Sequence, residues 1–130
     1  MTGPLSHTVQ HQANKGLEQF LANGPALDVA LLGTPEIEAA LNQWRLVLLF
    51  YAAVQHVNAR LDAHGHLSPS SHAERKRKMR QVWPGEMPLI AKYEYLEMLS
   101  REARYNGWVP DAQDLAKATS ILATIEHHLV

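Results

Sequence analysis

Apolar residues recur along this chain at three- and four-residue steps, and glycine and proline cut that rhythm into segments. The clearest run begins at Thr34-Pro35-Glu36. From there Ile37, Leu41, Trp44, Leu48 and Tyr51 share one side of a helix, and a second row of Val47, Phe50, Val54, Val57 and Leu61 widens the stripe. Such width suits a helix packed against several neighbours. Thr34 can cap free amides, Pro35 is pre-set for the first helical position, and Glu36 and Glu38 oppose the positive end of the dipole. No breaker follows until Gly65, so the pattern predicts a long central helix of roughly thirty residues.

The other segments are shorter. Residues 1–10 read as a loose polar leader, and Gln12 to Ala22 as a short helix with Leu17, Phe20 and Leu21 on one side, stopped by Asn23-Gly24-Pro25. Ala26 to Gly33, apolar but short, read as a packed connector or a turn of helix. Ser71 followed by Glu74 is a capping box, which predicts a helix from His72 to Val82, ended by Pro84-Gly85. The next helix begins near Pro88, turns Leu89, Tyr93, Leu96, Leu99 or Ser100 and Ala103 inward, and stops at Asn106-Gly107. Pro110-Asp111 opens a last helix carrying Leu115, Ala118, Ile121, Leu122, Ile125 and Leu129. Alternating runs bounded by turns, the mark of strands, are absent. The pattern predicts an all-α fold, an antiparallel bundle of four or five helices, in one domain over residues 1–130.

Composition narrows the function classes. With 130 residues, 46% of them hydrophobic, the chain can bury one sizeable core, and its 19% charged residues and net charge of −1 argue against wholesale disorder. That balance gives no global attraction to nucleic acid or to an anionic membrane. The absence of cysteine excludes disulfides, a thiolate nucleophile and cysteine-ligated metals. The first sixteen residues lack the basic-then-apolar pattern of a secretory signal, and Leu46 to Val54 is too short to span a bilayer, so a cytoplasmic protein without a membrane partner is expected.

Candidate chemistry comes from four places. The stripe through Tyr51 continues in register to Gln55, Asn58 and Asp62, so that end of the helix holds a hydrogen-bond network, lines a wet cleft, or emerges into solvent. His72 can act as a general base and Arg75 can bind a phosphate, at a helix start with free amides, unless His72 serves only to fix the loop. Arg75-Lys76-Arg77-Lys78-Met79-Arg80 holds five of the twelve basic residues, a nucleic-acid patch or a solvated basic face. Arg101, Arg104 and Tyr105 end the helix before Gly107, where arginine also suits the dipole. The eight histidines show no metal-ligand spacing, so neither a metal nor another cofactor is expected.

Three segments taken together carry a family likeness: Phe50-Tyr-Ala-Ala-Val-Gln-His-Val-Asn-Ala-Arg-Leu61, Ser71-His-Ala-Glu-Arg75, and Tyr95-Leu-Glu-Met-Leu-Ser-Arg-Glu-Ala-Arg-Tyr105. In order and spacing they resemble the HEPN superfamily of small helical bundles, over roughly Leu41 to Val109. The resemblance implies a HEPN-like bundle, often a homodimer. Its members include metal-independent ribonuclease toxins, often encoded beside nucleotidyltransferase-like antitoxins, nucleases of defence systems, and proteins with binding or scaffolding roles only. It makes His72 and Arg104 the catalytic candidates, histidine deprotonating the ribose 2′-hydroxyl while arginine balances charge, with Gln55, Asn58, Asp62, Arg75 and Tyr105 facing the ligand.

Catalytic members carry arginine followed after four to six residues by histidine. Here only Arg60 and His66 keep that spacing, at the end of the long helix, and no histidine follows Arg104. Gln55 stands where relatives often have histidine. The expected function is binding of RNA or of a nucleotide-handling partner, extending to a weak or degenerate metal-independent ribonuclease of a toxin–antitoxin or defence system. The alternative is a non-catalytic dimeric interaction module.

Overall fold

The computed structural model describes residues 35–66 and 69–130, together with Thr8. The predicted leader, the Gln12–Ala22 helix, the Ala26–Gly33 connector and the Thr34 cap lie outside the described residues. Four α-helices follow in order: α1 (Pro35–Ala63), α2 (His72–Val82), α3 (Met87–Tyr105) and α4 (Ala112–His128), with a 3₁₀ turn at Pro84–Glu86 leading directly into α3. Among the described residues there is no strand, and no helix is long and apolar enough to cross a membrane.

The helix ends follow from local chemistry. At the end of α1, Gly65 takes φ 84°, which a residue without Cβ adopts freely. The His66 amide donates to the Leu61 carbonyl at 2.9 Å and the Gly65 amide to the Asp62 carbonyl at 3.0 Å, the paired bonds of a Schellman cap. Gly107, at φ 71°, ends α3 in the same conformation. At the start of α4, Asp111 and Asp114 exchange backbone-to-carboxylate bonds of 2.8 and 2.9 Å, and the Asp114 amide holds the Asp111 carboxyl below its ordinary range.

Residues 35–130 contribute to two compact units. The first unit includes the chain up to Val47 and Leu99–Leu115. Its buried apolar residues include Ile37, Ala40, Leu46, Val47, Ala103 and Leu115. Gln43 is buried among them because its amide donates to the Trp108 carbonyl at 3.1 Å, and the Asn42 amide donates to the Pro110 carbonyl at 3.2 Å. Two polar side chains thus hold the segment after Gly107 in place.

The second unit comprises Leu48–Met98 and Ala116–Val130. Phe50, Ala53, Val54, Val57 and Leu61 of α1 are buried in it, as are Met79 of α2, Leu89, Ile90, Tyr93 and Leu96 of α3, and Ala118, Ile121 and Ile125 of α4. Phe50 and Tyr93 meet with tilted rings 5.6 Å apart. Beyond α4 the chain is pinned by side chains: His56 Nε2 donates to the Leu129 carbonyl at 2.8 Å, and His64 Nε2 and Trp83 Nε1 donate to the Val130 carbonyl at 3.0 and 3.3 Å.

The inward faces expected for α3 and α4 are observed. For α1 the second row, Val47, Phe50, Val54, Val57 and Leu61, is buried as expected, and so is Ile37, but the rest of the first row is corrected. The buried row of α1 is Ala40, Gln43, Val47, Phe50, Val54, Val57 and Leu61, whereas Trp44 is 37% exposed and Leu48 66% exposed. The true face is displaced by one residue, about 100° of rotation, from the row Leu41, Trp44, Leu48, Tyr51. From Val47 onward only the displaced row stays apolar to the last turn, and Gln43 before it is buried through its bond to Trp108.

Two predictions test this. Leu46→Ala, at a fully buried position, should cost about 2–5 kcal/mol in urea unfolding. Glu74, whose carboxyl is lowered to about 2 mainly by the Ser70 hydroxyl, stabilises the fold fully above pH 4.5, its unfolded value. That contribution is lost as pH falls toward 2, so Glu74→Gln should flatten the stability profile between these limits.

Candidate functional site

Helix α2 begins at Ser71, whose extended backbone (φ −150°, ψ 163°) turns its hydroxyl toward the first free amides. The Glu74 amide donates to Ser71 Oγ at 3.1 Å. Glu74 Oε2 in turn accepts the Ser70 amide at 3.1 Å and the Ser70 hydroxyl at 2.6 Å, one residue further back than the usual capping box. Lys78 adds an ion pair at 3.2 Å. The first turn of α2 thus already holds a carboxylate, tied to Ser70 and Lys78.

One turn on, Arg75 points into the second unit and is only 7% exposed. Its Nε donates to Asn58 Oδ1 at 2.8 Å, and Nη1 meets His72 Nδ1 at 2.9 Å. A guanidinium can only donate, so His72 Nδ1 accepts and the ring proton of neutral His72 sits on Nε2. The imidazole also packs on the Phe50 ring, centroids 5.7 Å apart. Glu97, from α3, is 6% exposed. Its Oε1 accepts from Lys76 Nζ at 3.0 Å, while Oε2 lies 3.6 Å from His72 Nδ1, too long for a good hydrogen bond. Tyr93 completes the cluster. Burial pushes its hydroxyl up to about 12, the charge of Arg75 opposes that shift, and Glu97 adds to it. The hydroxyl feels Arg75 without meeting hydrogen-bond geometry.

This arrangement constrains chemistry at His72. The lone pair that a general base would use is engaged by Arg75, and the other ring nitrogen carries the proton. His72 can donate a hydrogen bond here. To abstract a proton through Nδ1, Arg75 must first let go.

The basic run is similarly engaged. Arg75 is internal, Lys76 pairs with Glu97, Lys78 with Glu74, and Arg80 with Glu94 at 3.3 Å, while Arg77 is exposed. The exposed Arg80–Glu94 pair adds little stability, but all three pairs neutralise charge that a phosphate backbone would need.

Of the polar tail of α1, Asn58 joins the cluster, whereas Gln55 and Asp62 are exposed. Arg60 is exposed in the last turn of α1 and His66 is half-buried just beyond it. Arg104 belongs to the first unit, where its guanidinium lies 5.1 Å from the centre of the exposed Tyr105 ring.

Sequence reasoning overlooked Glu97 and the polar role of Tyr93. Glu97 stands four residues after Tyr93 and three before Ser100, both inward, so an acid on an apolar face was the available signal. Among the described residues no cluster of three or more histidine, aspartate or glutamate side chains is arranged to hold a metal ion. Comparison with protein-family models, with characterised proteins and with solved structures finds no match to this chain.

The cluster predicts its own pH response. A raised Tyr93 pKa contributes stability that is complete below pH 10 and lost as pH rises through about 12, so Tyr93→Phe should remove part of the loss over that window in alkaline unfolding. Arg75→Met, which leaves Asn58 Oδ1 and His72 Nδ1 without their donor, should cost on the order of 3 kcal/mol in urea unfolding.

Proposed function

We propose that this chain is a non-catalytic, HEPN-like helical interaction module that assembles as a homodimer. One observation carries the non-catalytic part: the groups suited to catalysis or phosphate binding around α2 are turned on one another. Arg75 is buried on Asn58 and His72, the acceptor nitrogen of His72 is filled, and Lys76, Lys78 and Arg80 face carboxylates. Large apolar side chains left at the surface support assembly. Leu48 and Met98 are exposed in the second unit, and Tyr105 in the first.

The test combines two measurements on the purified chain. Single-stranded and structured RNA should remain intact with and without magnesium, and sedimentation should show a dimer that persists in high salt, as an apolar interface requires. Leu48→Glu should shift that dimer to monomer while the circular dichroism spectrum stays helical. Metal-independent RNA cleavage that disappears in His72→Ala would overturn the proposal and restore the ribonuclease reading.

A further inference from the structure

Between α3 and α4 the second unit carries an open trough of about 540 Å³, lined by Ala91, Lys92 and Tyr95 on one side and Lys117, Ser120 and Ile121 on the other. Ile121 is buried at its base, and the other five residues are exposed. Lys117 Nζ stands 4.9 Å from the centre of the Tyr95 ring, which holds its charge at the trough rather than loose in solvent. Among the described residues no acid lines the trough, and neither Lys92 nor Lys117 is ion-paired. In this they differ from the neutralised lysines of α2. The chain has a net charge of −1, yet here two cations flank an apolar and aromatic strip.

We propose that this trough is the docking groove for an acidic amphipathic helix of a protein partner. The inference rests on the interaction-module reading and names the partner's chemistry. Small-molecule sites enclose most of their ligand, which an open trough does not. A helix needs only one face covered, its apolar residue set against Tyr95 and Ile121. The lining spans a little over one turn of each helix, so one apolar anchor fits, with acids three or four positions away to meet the lysines.

A displayed library of random peptides of about sixteen residues, panned against the full chain, tests the groove. Enriched sequences should combine Asp or Glu with a large apolar residue at helical spacing. A synthesised winner should bind about tenfold more weakly or worse to Lys92→Glu and to Lys117→Glu, and more weakly in high salt, but normally to the Lys→Arg variants. Circular dichroism establishes that these surface variants fold. Winners without acids, no winner at all, or binding indifferent to both reversals overturns the groove while leaving the module reading intact. Preferential capture of a single-stranded RNA oligonucleotide through the same two lysines also overturns it. RNA cleavage is the separate result that removes the module reading itself.

Discussion

Burying a guanidinium costs several kcal/mol unless its donors are met, and around Arg75 the second unit meets two of them, from two helices. Asn58 of α1 takes Nε, and His72, one turn back on α2, takes Nη1. Glu97 of α3 supplies a nearly buried negative charge beside them, bound to Lys76. Three helices must be in register for these bonds to close together. The apolar contacts of Phe50, Met79 and Tyr93 alone would tolerate small slips that the polar cluster does not.

The same constraint shapes the chemistry. A catalytic histidine needs a free lone pair and a phosphate-binding arginine needs free donors. Here Arg75 takes the acceptor nitrogen of His72, and two of its own donors are spent on His72 and Asn58. The N-terminus of α2, ordinarily attractive to an anion, already carries Glu74, whose carboxyl the Ser70 hydroxyl and amide and Lys78 hold far below its ordinary pKa. Net charge thus says little about binding. What matters is which cations have a carboxylate neighbour, and among the described residues Lys92 and Lys117 at the trough between α3 and α4 have no ion pair.

Helix α1 explains an apparent conflict in the sequence. The row through Leu41, Trp44, Leu48 and Tyr51 turns polar at Gln55, Asn58 and Asp62, which is costly if that row is the core face. It is not. The buried row lies one residue back and remains apolar through Val54, Val57 and Leu61. The row that turns polar borders the core, so Gln55 and Asp62 meet solvent while Asn58 reaches Arg75.

Local rules made much of this legible from the residues alone. Ser71 and Glu74, Gly65, Gly107 and Asp111 fixed where helices begin and end, because caps and left-handed turns involve only neighbouring residues. Three- and four-residue spacing assigned the inward faces of α3 and α4 for the same reason. The face of α1 was not settled that way, since two adjacent apolar rows compete and only the neighbours packed against them choose. Nor could sequence pair Arg75 with Asn58, seventeen positions away, or set Lys76 against Glu97, twenty-one away. Whether a charged side chain is a ligand-binding group or a structural one depends on what lies across from it, and the tertiary structure alone puts that partner there.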